Sequence, residues 1–131
     1  MPWLLDTSVA ILLRDADSEA DLRLKSLDSI PALSIVSQVE LEGGVVARPA
    51  LAPKRRAAID ILLAALPVLP FDPACVAAYR QIVETAGFSR GKVIDRMIAA
   101  TALVHNLSLI TLDRRDFSDV PGLDLEVWPS P

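Results

Sequence analysis

Pro2-Trp3-Leu4-Leu5-Asp6-Thr7-Ser8-Val9-Ala10-Ile11-Leu12-Leu13 is the stretch on which the reading of this chain turns. Trp3 to Leu5 reads as a short strand buried on both faces. Val9 to Leu13 reads as the start of a helix that ends near Arg14-Asp15. Asp6 stands between them. An ionised carboxylate is costly to bury without a partner, yet this one directly follows a buried strand. In an open α/β sheet, ligands bind beyond the carboxyl ends of the strands. Asp6 therefore lies where a site belongs. A plainer role is also open, since Asp6, Thr7 or Ser8 can each cap the helix that follows.

The strand-then-helix pattern repeats downstream. Asp17 or Ser18 caps a second helix carrying Ala20, Leu22, Leu24 and Leu27, and Ile30-Pro31 breaks it. Ala32 to Val36 is a second buried strand. Ser37 opens the next helix, with Glu40 at capping-box spacing. Gly43-Gly44 weakens that helix unless close backbone packing requires it. Pro49 to Pro53 is a break, followed by Lys54-Arg55-Arg56 and a helix with Ile59, Leu62, Leu63 and Leu66 on one face. Pro67 and Pro70 bracket the strand Val68-Leu69. Asp72-Pro73 starts a helix as cap and first-turn proline, running through Val76, Tyr79, Ile82 and Val83 to Gly87. The loop Phe88-Ser89-Arg90-Gly91 leads into a helix from Val93 to His105, ended by Asn106. Ser108 to Thr111 is a fourth strand, Asp113 to Phe117 a turn or short helix, and Leu125 to Trp128 an edge-like strand. Such alternation predicts one α/β domain over residues 1–131, with a central, mostly parallel sheet of four to five strands flanked by helices.

Composition narrows the function. Hydrophobic residues make up 52% of the 131 and charged residues 23%, which is a globular balance. The net charge of -4 argues against a protein that grips nucleic acid through bulk positive charge. It leaves room for a metal-dependent nuclease, because bound cations offset clustered acids locally. Cys75 is the one cysteine, so no internal disulfide forms, and a reducing, cytoplasmic setting is expected. His105 is the one histidine, which argues strongly against zinc. No signal peptide or membrane span is expected. A mean hydropathy of +0.40 points to some partner-covered surface, with the helices Ala20–Leu27 and Ala57–Leu66 as candidates.

Acidic residues follow the strands or open the helices at Asp6, Glu40, Asp95, and Asp113 or Asp116. Each has a routine explanation as a cap, a dipole partner or a turn former. All of them nevertheless fall at one edge of a parallel sheet. Carboxylates packed together repel and raise one another's pKa, and a hard divalent ion relieves that conflict. An all-oxygen set points to Mg²⁺ or Mn²⁺, which suits phosphodiester hydrolysis by metal-activated water. No Ser-His-Asp arrangement and no Walker-type phosphate loop is visible. A phosphatase acting through Asp6 would want a second acid two residues on, where Ser8 stands.

The segments Leu4-Leu5-Asp6-Thr7-Ser8, Ser37-Gln38-Val39-Glu40-Leu41-Glu42-Gly43-Gly44, Ile94-Asp95-Arg96-Met97-Ile98-Ala99-Ala100-Thr101-Ala102 and Leu109-Ile110-Thr111-Leu112-Asp113-Arg114-Arg115-Asp116-Phe117 together resemble a PIN domain, more narrowly a VapC-type toxin. They occur in family order and span nearly the whole chain. The resemblance implies an Mg²⁺- or Mn²⁺-dependent endoribonuclease, a cognate VapB-like antitoxin, an RNA substrate and commonly a homodimer. It makes Asp6, Glu40, Asp95 and Asp113 the metal-binding and catalytic acids, with Asp116 a nearby supporting acid. It gives Thr7, Ser8 and Thr111 the role of small hydroxyls that place the acids or the water. Two choices stay open: Asp113 or Asp116 as the fourth ligand, and Glu40 or Glu42, where the Glu-Leu pair and the glycine four positions on favour Glu40. Lys54, Arg55, Arg56, Arg114 and Arg115 are available to RNA, and Arg90, Lys92 and Arg96, which flank Asp95, are the preferred phosphate contacts. The rival reading is a non-catalytic interaction protein that binds a partner through its apolar helical face.

Overall fold

Apolar runs of two to four residues pair into a sheet that is parallel throughout. The computed structural model describes residues 2–131. In chain order the elements are β1 (Trp3–Leu5), α1 (Thr7–Arg14), α2 (Ser18–Lys25), β2 (Ala32–Ser34), α3 (Ile35–Ala47), α4 (Ala52–Ala65), β3 (Val68–Leu69), α5 (Pro73–Ala86), α6 (Val93–His105), β4 (Ser108–Thr111) and β5 (Leu125–Val127). Short 3₁₀ turns lie at Pro49–Leu51, Arg90–Lys92 and Arg114–Phe117.

The five strands run in the order β3-β2-β1-β4-β5. β1 is central: Leu5 pairs with Leu33 on one side and with Ile110 on the other. The chain builds outward from β1 to β3, then returns to lay down β4 and β5 on the opposite side. The order therefore reverses between β1 and β4, which opens a crevice at their carboxyl ends. Asp6 is the first residue past β1 at that point, and its backbone N–H donates to the Ile110 carbonyl at 2.8 Å.

Successive strand side chains face opposite ways, and two cores result. Leu4 and Leu109 pack with Ile82 of α5 and with Ile98, Ala99 and Ala102 of α6. Leu5, Leu33 and Ile110 pack with Val9 and Ala10 of α1, Ala20 of α2, Leu41 of α3 and Ile59 of α4. Cys75 is fully buried. No helix among the described residues is long and apolar enough to cross a membrane.

The structure departs from the sequence reading at α3. The strand expected over Ala32 to Val36 stops at Ser34. The Ser34 hydroxyl, not that of Ser37, caps the helix by accepting from the Val36 N–H at 3.0 Å. Ile35 and Val36 thus begin the helix despite their branched side chains, because Ser34 satisfies one of its open donors. Ser37 and Glu40 then lie one turn apart on the same helix face.

Candidate active site

Asp6 is 4% exposed, and its carboxylate is held by two donors from the start of α1 and one from the end of β4. One oxygen accepts from the Thr7 N–H at 2.8 Å, which is the helix cap the sequence allows. The other accepts from the Ser8 hydroxyl at 2.8 Å and from the Thr111 hydroxyl at the end of β4, also at 2.8 Å. Thr111 is fully buried and accepts from the Asp113 N–H at 3.2 Å. The helix cap and the end of a neighbouring strand thereby converge on one carboxylate.

A second chain of hydroxyls leads to α3. The Thr7 hydroxyl donates to Glu40 at 2.6 Å and lies 2.8 Å from the Ser37 hydroxyl. Thr7 has one proton to give, so Ser37 donates to Thr7. Ser37 is fully buried. Its hydroxyl serves Thr7 and not the helix cap that its sequence position suggests. The i, i+3 spacing to Glu40 was the available signal, but it serves a capping box equally well.

Electrostatics join Asp95 and Asp116 to this group. Burial pushes the Asp6 pKa up, the three donors oppose that, and the Asp116 charge adds to it. Asp95, in the first turn of α6, is pushed up to about 6 by burial and by the charges of Asp6, Asp116 and Glu40, with Lys92 opposing. Asp6, Glu40, Asp95 and Asp116 therefore sense one another across the crevice. They form an open rim: among the described residues, no three His, Cys, Asp or Glu side chains are grouped so as to close on one metal ion. Their chemistry still suits a hard cation, since every donor is an oxygen and the mutual repulsion of the acids is what a cation would offset.

A family model of the PIN domain matches residues 3–123. The chain belongs to the PIN-domain family. A relative, Ribonuclease VapC2 of Rickettsia felis, is 26% identical over 98% of this chain and 98% of its own length. Among solved structures, VapBC2 of Rickettsia felis bound to a promoter DNA fragment superposes with a TM-score of 0.85 at 26% identity, covering 98% of this chain and 99% of that one. DNA-bound VapBC of Salmonella typhimurium superposes at 0.83 with 25% identity, covering 98% of each chain.

This PIN domain sorts the residues nominated from sequence. Glu40 and Glu42 separate cleanly. Glu40 faces Thr7, whereas Glu42 is bound by Arg56 of α4, one guanidinium nitrogen lying 3.0 Å from a carboxylate oxygen. Asp113 and Asp116 separate as well. Asp113 caps the 3₁₀ turn by accepting from the Arg115 N–H at 2.9 Å, and its carboxylate pairs with the exposed Arg115 side chain at 3.2 Å. That pairing holds the Asp113 pKa below the usual carboxylate range. Asp116, one turn on, is the acid whose charge reaches Asp6 and Asp95.

Arg96 is a correction. Expected at the surface against phosphate, it is 2% exposed and donates to the Gly87 carbonyl at 2.6 Å and to Asp119 at 2.9 Å. A residue next to Asp95 in sequence is turned about 100° round α6, which sequence adjacency alone does not reveal. Lys92 is partly engaged, donating to Asp119 at 3.1 Å, while Arg90 is exposed. The basic run lies inside α4, which starts at Ala52, and two of its three residues are engaged within the chain. Arg55 donates to the Gly44 carbonyl at 2.7 Å, and Arg56 holds Glu42 and Asp60.

Proposed function

We propose that this PIN domain is a VapC-type endoribonuclease, the toxin of a toxin–antitoxin pair, and that it depends on Mg²⁺ or Mn²⁺. The observation that carries the reading is the set of four acids around the β1–β4 switch point, where burial and the charges of Asp6, Asp116 and Glu40 push Asp95 up to about 6. Like charges crowded around one buried carboxylate, Asp6, mark functional sites more often than structural ones. The ribonuclease relative and the VapBC structures support the substrate class and the toxin role.

Asp6, Glu40, Asp95 and Asp116 would hold the cation, with Asp113 outside the set. When bound, a divalent ion supplies water of lowered pKa and charge neutralisation at the phosphate. The chain's own residues do the rest. Thr111, Ser8 and the Thr7 N–H fix both Asp6 oxygens, so this carboxylate needs no reorganisation to act as a ligand. Ser37 and Thr7 relay a fixed orientation to Glu40. Arg90, at the exposed turn before α6, is the remaining phosphate contact of the trio nominated from sequence, with Lys92 beside it.

Exposed apolar side chains fit a partner. Leu22 of α2 is 67% exposed and Ile61 of α4 is 70% exposed, beside an apolar cleft lined by Leu24, Leu62 and Leu66. We assign that surface to a VapB-like antitoxin, with a homodimer as the working assembly and the cytoplasm as its setting.

The deciding experiment is cleavage of total RNA by the purified chain with Mg²⁺, Mn²⁺ or chelator, beside Asp6→Asn. Discrete fragments that require both metal and Asp6 are expected. Folded, antitoxin-free protein that cleaves nothing with either metal, or an Asp6→Asn variant with full activity, refutes the assignment.

A further inference from the structure

Two of the four acids are carried by segments that one buried arginine ties together. Asp95 opens α6 and Asp116 lies in the 3₁₀ turn after β4. Asp95 and Asp116 are both acidic, and like charges on two segments repel when they are brought together. The residue directly after Asp95 is Arg96, and three residues after Asp116 comes Asp119. The Arg96 guanidinium donates to Asp119 at 2.9 Å, and a second arm donates to the Gly87 carbonyl at 2.6 Å. Lys92 reaches the same Asp119 oxygen at 3.1 Å. Arg96 is 2% exposed. The Asp119 oxygen that faces neither cation, and Arg96 Nε, are buried without a hydrogen-bond partner among the described residues. A half-buried pair left this incompletely satisfied is weak evidence for stability alone. The pair instead cross-links the start of α6, the end of α5 at Gly87 and the segment bearing Asp116.

We propose that Arg96 and Asp119 are positioning residues, which hold Asp95 and Asp116 at the separation that lets them share a divalent cation. The proposal rests on the metal-dependent reading above. Neither residue touches the reacting atoms. Their contribution is to oppose the repulsion between two acids on different segments.

The test measures Mn²⁺ affinity by calorimetry on the full chain, stripped of metal, for wild type, Arg96→Met, Arg96→Lys and Asp119→Asn. Each is measured well below its own unfolding midpoint. Residues that orient metal ligands typically carry about 10–100-fold in metal affinity. Arg96→Met and Asp119→Asn are expected to bind Mn²⁺ at least about tenfold more weakly, with Arg96→Lys intermediate. RNA cleavage should lose kcat more than KM. Should Arg96→Met fail to fold, the near-isosteric Asp119→Asn decides. Ile59→Ala, in the opposite core, serves as a control of comparable destabilisation whose Mn²⁺ affinity should not change. Folded Asp119→Asn that binds Mn²⁺ within about twofold of wild type overturns the proposal, as does equal weakening in Ile59→Ala. Wild type that binds no Mn²⁺ fails at an earlier step and overturns the metal reading together with this one.

Discussion

Asp95→Asn should make the metal-free protein more stable while abolishing cleavage. Burial and three neighbouring acids push Asp95 up to about 6, against an ordinary carboxyl value of about 3.9. At ~1.4 kcal/mol per pKa unit the difference corresponds to about 3 kcal/mol against the charged form. The side chain is partly exposed, so solvent screening reduces this to about 1–1.5 kcal/mol. For a domain of this size that is an increase in Tm of roughly 3–5 °C. The sign follows from linkage. Between about pH 4 and 6 the folded state binds more protons at Asp95 than the unfolded chain does, so wild-type stability falls as pH rises through that window. The Asn variant escapes this loss. Its advantage should vanish near pH 3.5 and be complete at about pH 7.5. The assay is thermal unfolding in chelator across that range, followed by Mn²⁺ addition, which should raise the Tm of wild type and not of the variant. A variant no more stable than wild type at neutral pH, or an advantage that does not change with pH, refutes the reasoning.

Three further outcomes can be checked on single variants. Thr111→Val removes one of three donors to the buried Asp6 carboxylate. It should cost about 2 kcal/mol, with a larger loss at neutral than at acid pH, measured by denaturant titration. Gly43 and Gly44 both lie inside α3, but a Cβ at Gly43 meets nothing within 4 Å, whereas one at Gly44 would come within 3.0 Å of the Arg14 guanidinium. Gly43→Ala should therefore stabilise by about 0.5–1 kcal/mol, while Gly44→Ala should lose most of that gain by displacing a buried arginine bound to Asp15; equal gains would sink the packing argument. Asp116→Asn should abolish RNA cleavage and Asp113→Asn should retain most of it, so the reverse order would return Asp113 to the metal set.

Much of the architecture is written in local pattern. Trp3 to Leu5, Val68-Leu69 and Ser108 to Thr111 are short apolar runs between turn residues, and they form the strands at those positions. Asp17, Asp72 and Asn106 act as the caps their chemistry suggests. Capping is decided within a few residues, so sequence alone determines it. The α/β class and the placement of Asp6 after a buried strand follow from the same local rules.

What the chain could not show by itself is which side of an element a residue faces when two neighbours compete. Ser34 and Ser37 are both good caps, and only the point at which β2 leaves the sheet selects Ser34 and frees Ser37 for Thr7. Asp113 and Asp116 both follow β4, and only the folded turn pairs Asp113 with Arg115 and leaves Asp116 as the acid whose charge reaches Asp6. Arg96 adjoins Asp95 in sequence, yet the ~100° step between helical neighbours turns it into the core against Gly87 and Asp119. Local propensity determines that a helix or a cap forms. The meeting of Asp6, Glu40, Asp95 and Asp116 depends on strand order and helix packing, which bring together residues more than a hundred positions apart and are set only when the whole sheet assembles.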